Sequence, residues 1–127
     1  MKFAKIVFLV AGIYGLIVLL PLYFMEAQTG RDYPPPITHP EYYYGFVGVA
    51  VAWQLAFLVI SRDPVRYRPL MIPSIAEKAS FGIAVAVLYF QQRVSSFMFG
   101  AAMADSVLGV LFVLAFLKTA RQAKTAG

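Results

Sequence analysis

The sequence predicts an all-α integral membrane protein, built as a bundle of four antiparallel transmembrane helices. Two observations predict this class: four long apolar runs, and a composition with too few charges for a water-soluble domain. Hydrophobic residues make up 61% of the 127 residues and charged residues 13%, whereas a soluble domain carries about 25% charged residues. About twenty apolar residues in a helix cross the ~30 Å hydrocarbon layer of a membrane. The four runs cover residues 6–25, 42–61, 70–92 and 94–117.

The charges within these runs are few. The first two runs contain none, the third contains Glu77 and Lys78, and the fourth contains Asp105. Two lysines precede the first run, as they would in a secretory signal peptide. Its apolar part is about nineteen residues, however, and signal peptides usually have 7–15. We therefore predict that the first run is a retained span and that the 127 residues form a single membrane domain.

The basic residues predict the orientation. Cytoplasmic segments of membrane proteins are enriched in lysine and arginine. Eight basic residues fall in the N-terminal segment, the second loop and the C-terminal tail, and two fall in the first and third loops. Both termini are therefore predicted to be cytoplasmic. The eight are Lys2, Lys5, Arg62, Arg66, Arg68, Lys118, Arg121 and Lys124, and the two are Arg31 and Arg93.

The two longer loops differ in character. The first, residues 26–41, contains Pro34-Pro35-Pro36 and is followed by three tyrosines. Consecutive prolines favour an extended segment, so we expect a stiff loop folded over the bundle, either as a cap or as a docking strap for a partner. The second, residues 62–69, contains Arg62, Arg66 and Arg68. These arginines are expected either to set the orientation alone or to contact anionic lipid headgroups or a protein partner as well.

Small residues predict where the helices touch, because they let helix backbones approach in lipid. The second span has such a stripe at near-heptad spacing, and we expect it to face a neighbouring helix. The other spans have shorter versions, which together favour a compact left-handed bundle. The stripe of the second span comprises Gly45, Gly48, Ala52 and Ala56. The shorter sets are Gly12 and Gly15, then Ala79, Gly82 and Ala86, then Gly100 and Ala104, with Ala101, Asp105 and Gly109 on a neighbouring line of the fourth span.

Polar residues at membrane depth are the candidates for function: Asp105, Glu77, Lys78, Gln54 and Tyr14. A charge near the bilayer centre costs about 2.5–3.5 kcal/mol, so these side chains are expected to face the bundle interior. A hairpin turning near residue 93 places Asp105 level with residue 82, roughly 7–8 Å from Glu77 along the membrane normal. The two carboxyl groups could therefore share one polar pocket, but a direct pair of carboxyl groups is not expected.

Each carboxyl group has a structural and a functional interpretation. Glu77 is expected to form an ion pair with a basic residue of the second loop or with Lys78. Asp105 is expected to be protonated or strongly hydrogen-bonded, with Ser80, Ser106, Gln54 or Tyr14 as candidate partners. The alternative for both residues is a carboxylate that carries protons or binds a ligand.

Signals for metals and cofactors are weak. The sequence contains no cysteine and one histidine, His39, in the first loop. Together with Glu41 it offers two ligands, which is too few for a metal site, and a single axial ligand to a porphyrin is the most His39 could supply. No phosphate-binding loop and no serine–histidine–aspartate set is present. We expect no metal, no cofactor and no nucleic-acid partner, since the basic residues lie beside helix ends.

In length and number of spans the chain resembles small four-helix bacterial membrane proteins such as the DoxX-like group. The resemblance is one of architecture, and no functional residue is carried over from it. The sequence predicts a small, non-catalytic accessory or scaffold subunit of a bacterial cytoplasmic (inner) membrane complex, whose partners are lipids and other membrane subunits or further copies of the chain. The alternatives are a binder of a lipid or isoprenoid, a proton-coupled carrier using the intramembrane carboxylates, or an enzyme acting on a lipid-phase substrate.

Overall fold

The computed structural model describes residues 2–126, and it describes side chains as far as residue 122. This part of the chain is helical, with no strand. Four helices are long and apolar enough to cross a membrane: Lys2–Phe24, Pro40–Arg62, Arg68–Phe90 and Ser96–Gln122. The α-helices are α1 (Lys2–Leu19), α2 (Glu26–Asp32), α3 (Pro40–Arg62), α4 (Met71–Phe90) and α5 (Ser96–Ala126), and short 3₁₀ turns follow α1 and precede α4.

Helices α1 and α3 pack as an antiparallel hairpin. The rings of Phe8 and Phe57 lie 6.1 Å apart near one end, and those of Tyr23 and Tyr44 lie 6.2 Å apart near the other. The two helices therefore run in opposite directions. Helices α4 and α5 form a second antiparallel hairpin, because Lys78 contacts Asp105 and Tyr89 stacks on Phe99 at 4.3 Å.

The two hairpins are joined by a core cluster near one end of the molecule. Phe112 of α5 stacks on Phe8 at 4.2 Å and meets Phe57 edge-on at 4.9 Å. Ile60 and Met71, both fully buried, complete the contact between α3 and α4 in this cluster. We call this the basic end, because it contains the start of α1, the 62–69 loop and the C-terminal part of α5. The other end, with α2 and the 91–95 turn, is the tyrosine end.

The first loop is more structured than the sequence predicts. Its first half forms α2, and its proline segment folds back so that Gly30 packs against Pro36. The Tyr43 hydroxyl donates to the carbonyl of Leu22 at 2.6 Å, which fastens α3 to the end of α1. The sequence predicts an extended segment at the three prolines and a stiff loop folded over the bundle, and it does not predict the helix α2 in the first half of the loop. The polar helix Glu26–Asp32 has no apolar periodicity that could have predicted it.

The small residues of the first hairpin lie at the helix contact on α1 and mostly away from it on α3. A Cβ on Gly12 would lie 2.6 Å from the side chain of Leu58, and Gly15 lies directly against Gln54. On α3 itself, however, a Cβ added to Gly45 would have no neighbour within 4 Å, and Ala52 is exposed. A Cβ added to Gly48, however, would lie 3.5 Å from the Tyr23 hydroxyl. The expected contact along the α3 stripe is therefore found at Gly48 and is wrong at Gly45 and Ala52. Helix α3 presents large side chains to the small face of α1 instead.

The second hairpin follows the predicted small-residue contacts in part. Gly82 of α4 is buried against Ser106 of α5, as the sequence predicts for a helix contact. On α5, by contrast, a Cβ added to Gly100 would have no neighbour within 4 Å, and Ala104 is exposed. The contact on α5 lies instead on the neighbouring line that the sequence also offers, where Gly109 packs on Lys78.

Candidate functional site

A buried ion pair joins the two helices of the second hairpin. The Lys78 Nζ donates a hydrogen bond of 2.7 Å to Asp105 Oδ1. The Lys78 side chain is 4% exposed and that of Asp105 is 18% exposed. Since an isolated charge is costly away from water, each group stabilises the other, and the pair fixes α4 against α5. The neutral hydrogen-bond partners expected for Asp105 are not found, because its carboxylate accepts a hydrogen bond from the ammonium of Lys78.

Glu77 is the second carboxyl group beside the same ammonium. Its Oε2 lies 3.7 Å from the Lys78 Nζ, an ion pair without a hydrogen bond, and no described residue forms a hydrogen bond with this buried oxygen. The expected pairing of Glu77 with Lys78 is therefore found, and pairing with the 62–69 loop is not. One ammonium thus faces two carboxyl groups, one tightly held and one loosely held.

The sequence builds this cluster by combining a long side chain with small neighbours. Gly109 allows the stem of Lys78 to lie on α5, because a Cβ there would be 3.0 Å from the Lys78 Cβ. The aromatic rings of Phe57 and Phe112 face the ammonium, with their centroids 5.1 Å and 6.0 Å from Nζ. Aromatic faces attract a desolvated cation, so the two rings help to stabilise the buried ammonium of Lys78.

The other polar candidates from the sequence lie elsewhere. Gln54 is 2% exposed and packs between α1 and α3, where its Nε2 donates to the carbonyl of Ala50 at 2.9 Å and its Oε1 forms no hydrogen bond with described residues. Tyr14 is 45% exposed on the outer surface of α1. The structure therefore brings together Glu77, Lys78 and Asp105, and it does not bring Gln54 or Tyr14 to them.

The three arginines of the second loop have different environments. Arg68 is directed inward: its Nε donates to the Phe116 carbonyl at 3.0 Å and to Thr119 Oγ1 at 3.2 Å, and its guanidinium lies 3.7 Å from the centroid of the Phe116 ring. Arg62 and Arg66 are exposed and line a cleft of about 440 Å³. Arg68 thus ties the loop to α5, and the other two are free to meet a group outside the chain.

His39 lies on the surface at the tyrosine end. Its Nδ1 is 3.2 Å from Glu41 Oε1, and both side chains are 65% exposed. Its ring stacks on Tyr42 at 5.0 Å. Among the described residues, no three histidine, cysteine, aspartate or glutamate side chains are grouped as a metal site would require.

An apolar groove runs along the outside of the α4–α5 hairpin. Its volume is about 420 Å³. Ala79 and the glycines Gly82 and Gly109, which have no side chain, leave room along its lining, and Lys78 and Ser106 are its polar neighbours. The lining is almost entirely apolar, so it suits an acyl or isoprenoid chain better than a polar metabolite.

Comparisons with protein-family models, with curated proteins and with solved structures identify no match. The function is therefore inferred from the geometry of the chain.

Proposed function

We propose that this chain is a small, non-catalytic integral membrane protein that acts as an accessory or scaffold subunit of a larger membrane complex. The proposal places it in a bacterial cytoplasmic membrane, with both termini and the 62–69 loop on the cytoplasmic side. The observation that carries the proposal is the Lys78–Asp105 ion pair, which joins α4 and α5 beside Phe57 and Phe112. The deepest charges thus serve to hold helices together.

The surface of the helices supports the same proposal. Large apolar side chains cover the outside of all four long helices, and several are more than half exposed; examples are Ile17, Val49, Ile83 and Val107. Such surfaces are suited to lipid and to helices of other subunits. In lipid, association of helices depends on close packing and interhelical hydrogen bonds, and this chain offers long faces for packing.

The direct test is the mass of the particle that contains the chain. The tagged protein is extracted from its native membrane with a mild detergent, and the native mass is measured. The proposal predicts a particle far heavier than the 14.1 kDa chain, with at least one other membrane protein in fixed stoichiometry. A monomer or dimer that retains only lipid would contradict the proposal.

The second candidate is a binder of a lipid or isoprenoid, or a proton-coupled carrier. The groove on α4 and α5 favours it, as does the loosely held carboxyl group of Glu77. Ala79→Leu should fill the groove and displace a bound chain. Ala76→Leu is the matched control, because Ala76 is exposed on the same helix and does not line the groove. Loss of a co-purified lipid in the Ala79 variant alone would favour this candidate.

A further inference from the structure

We propose that the cleft at the basic end binds one anionic glycerophospholipid, with its phosphate between Arg62 and Arg66 and an acyl chain along α3. The cleft has a volume of about 440 Å³ and combines an apolar wall with two cationic side chains, and Asp63 and Tyr67 complete its lining. This site is distinct from the ion-pair cluster and from the groove on α4 and α5.

The apolar wall of the cleft is a single face of α3. Leu55, Leu58, Val59 and Arg62 line it at successive helical turns, a spacing that puts them on one side of a helix. Leu55 is 50% exposed and Val59 is 44% exposed. From Leu55 to Arg62 the helix rises by about 10 Å. A hydrocarbon chain lying on this face would therefore lead directly to the guanidinium of Arg62.

The turn after α3 fixes the second arginine above this face. The Tyr67 N–H donates to the Asp63 carbonyl at 3.0 Å, and the Arg66 N–H donates to Asp63 Oδ1 at 3.3 Å. Pro64 is among the fully buried residues and anchors the turn. The Asp63 carboxylate, which also lines the cleft, accepts this one backbone hydrogen bond through its Oδ1. The turn is held by these contacts, so little ordering is needed when a ligand binds.

The two guanidinium groups are available for a phosphate. Arg31, Arg68 and Arg93 donate hydrogen bonds from their side chains to other protein groups. Within the part of the chain that the structure describes, the guanidinium groups of Arg62 and Arg66 donate none, although that of Arg66 lies 5.5 Å from the Tyr67 ring centroid. A guanidinium binds phosphate oxygens through paired N–H donors, and two of them match one anionic headgroup.

The charge of the basic end selects an anionic ligand. Lys2, Lys5 and Lys118 lie at the same end as the cleft, where Asp63 contributes a negative charge. Basic clusters at the cytoplasmic surface attract anionic lipids. The cleft adds to this general attraction a defined place for one molecule. An anion that carries a hydrocarbon chain would contact both the apolar wall and the two arginines, whose charges outnumber the one carboxylate of Asp63.

The test uses the protein in phosphatidylcholine nanodiscs and titrates dioleoyl phosphatidylglycerol, with bound lipids counted by native mass spectrometry. We expect one phosphatidylglycerol to be retained more tightly than the rest. Arg62→Gln with Arg66→Gln should weaken its binding about tenfold or more. The matched control, Lys2→Gln with Lys5→Gln, removes the same charge from the same end and should weaken it less than about threefold.

A second variant and a competitor test the acyl chain. Leu55→Ala with Val59→Ala should weaken binding by at least about threefold, and these exposed positions leave the core intact. Free glycerol 3-phosphate should not displace the lipid. Displacement at comparable concentration would show a site for soluble phosphates and overturn the proposal. Equal losses in the arginine and lysine pairs would overturn it too, because they would show diffuse attraction without a site.

Discussion

Removing the ammonium of Lys78 should be the most damaging single change to the charge cluster. Lys78→Met leaves Asp105 and Glu77 without their shared cation, whereas Asp105→Asn leaves Lys78 with Glu77, whose Oε2 is already 3.7 Å away. An unpaired charge at membrane depth costs about 2.5–3.5 kcal/mol, and breaking a buried pair costs about 3–5 kcal/mol. We therefore expect Lys78→Met to lower the free energy of unfolding by about 3 kcal/mol and Asp105→Asn by about 1 kcal/mol.

The assay is reversible unfolding in mixed detergent micelles, followed by the near-ultraviolet circular dichroism of the aromatic core. Lys118→Met is the matched control, because Lys118 is exposed and lies 4.2 Å from the Phe3 ring centroid; it should cost less than about 1 kcal/mol. The triple variant Lys78→Met with Asp105→Leu and Glu77→Gln removes all three charges of the cluster and should recover most of the loss. A cost for Lys78→Met no larger than that of the control would refute the reasoning.

Three further predictions concern the helix contacts and the orientation. Gly12→Leu should lower the free energy of unfolding by about 1–3 kcal/mol, because it overpacks the contact with α3. The control Gly45→Leu should change the same free energy by less than about 0.5 kcal/mol. Equal effects would mean that α1 presents a different face to α3. Arg68→Lys should lower it by about 1–2 kcal/mol, because lysine cannot reproduce the stacking on Phe116 together with the hydrogen bonds of the guanidinium, and an unchanged melting temperature would contradict this. A cysteine at Thr38 should react with an impermeant maleimide from the periplasmic side, and reaction from the cytoplasmic side alone would reverse the proposed orientation.

The four long apolar helices follow from the sequence because the capacity to cross hydrocarbon depends mainly on length and composition. The register of the second hairpin also follows, to within one residue: the sequence places Asp105 level with Gly82, and the neighbouring Ser106 contacts that glycine. The partner of Asp105 cannot be predicted only from which residues lie at the same height along the two helices. Lys78 is four residues from Gly82, and the flexible lysine stem spans that turn. Allowing for the length of this side chain would have identified the pair with Asp105.

The direction in which a helix faces is harder to obtain from one sequence. Small residues on α3 and large ones such as Leu58 are both compatible with a helix contact, because either face can meet the glycines of α1. The same limit applies to Arg62, Arg66 and Arg68, which are alike in composition and spacing. Arg68 is directed inward by its contacts with Phe116 and Thr119 of α5, and these contacts between residues distant in the sequence cannot be predicted from the loop alone.

The claim that the deepest charges are structural can be tested by one paired measurement on Asp105→Asn. The variant replaces the wild-type chain in its native membrane, and the mass and the activity per particle of the complex that contains it are compared with those of the wild type. An asparagine can still accept a hydrogen bond from Lys78, so we predict the same mass and the same activity per assembled particle. An assembly of unchanged mass that has lost its activity would contradict the structural role and favour a carboxylate that carries protons or binds a ligand.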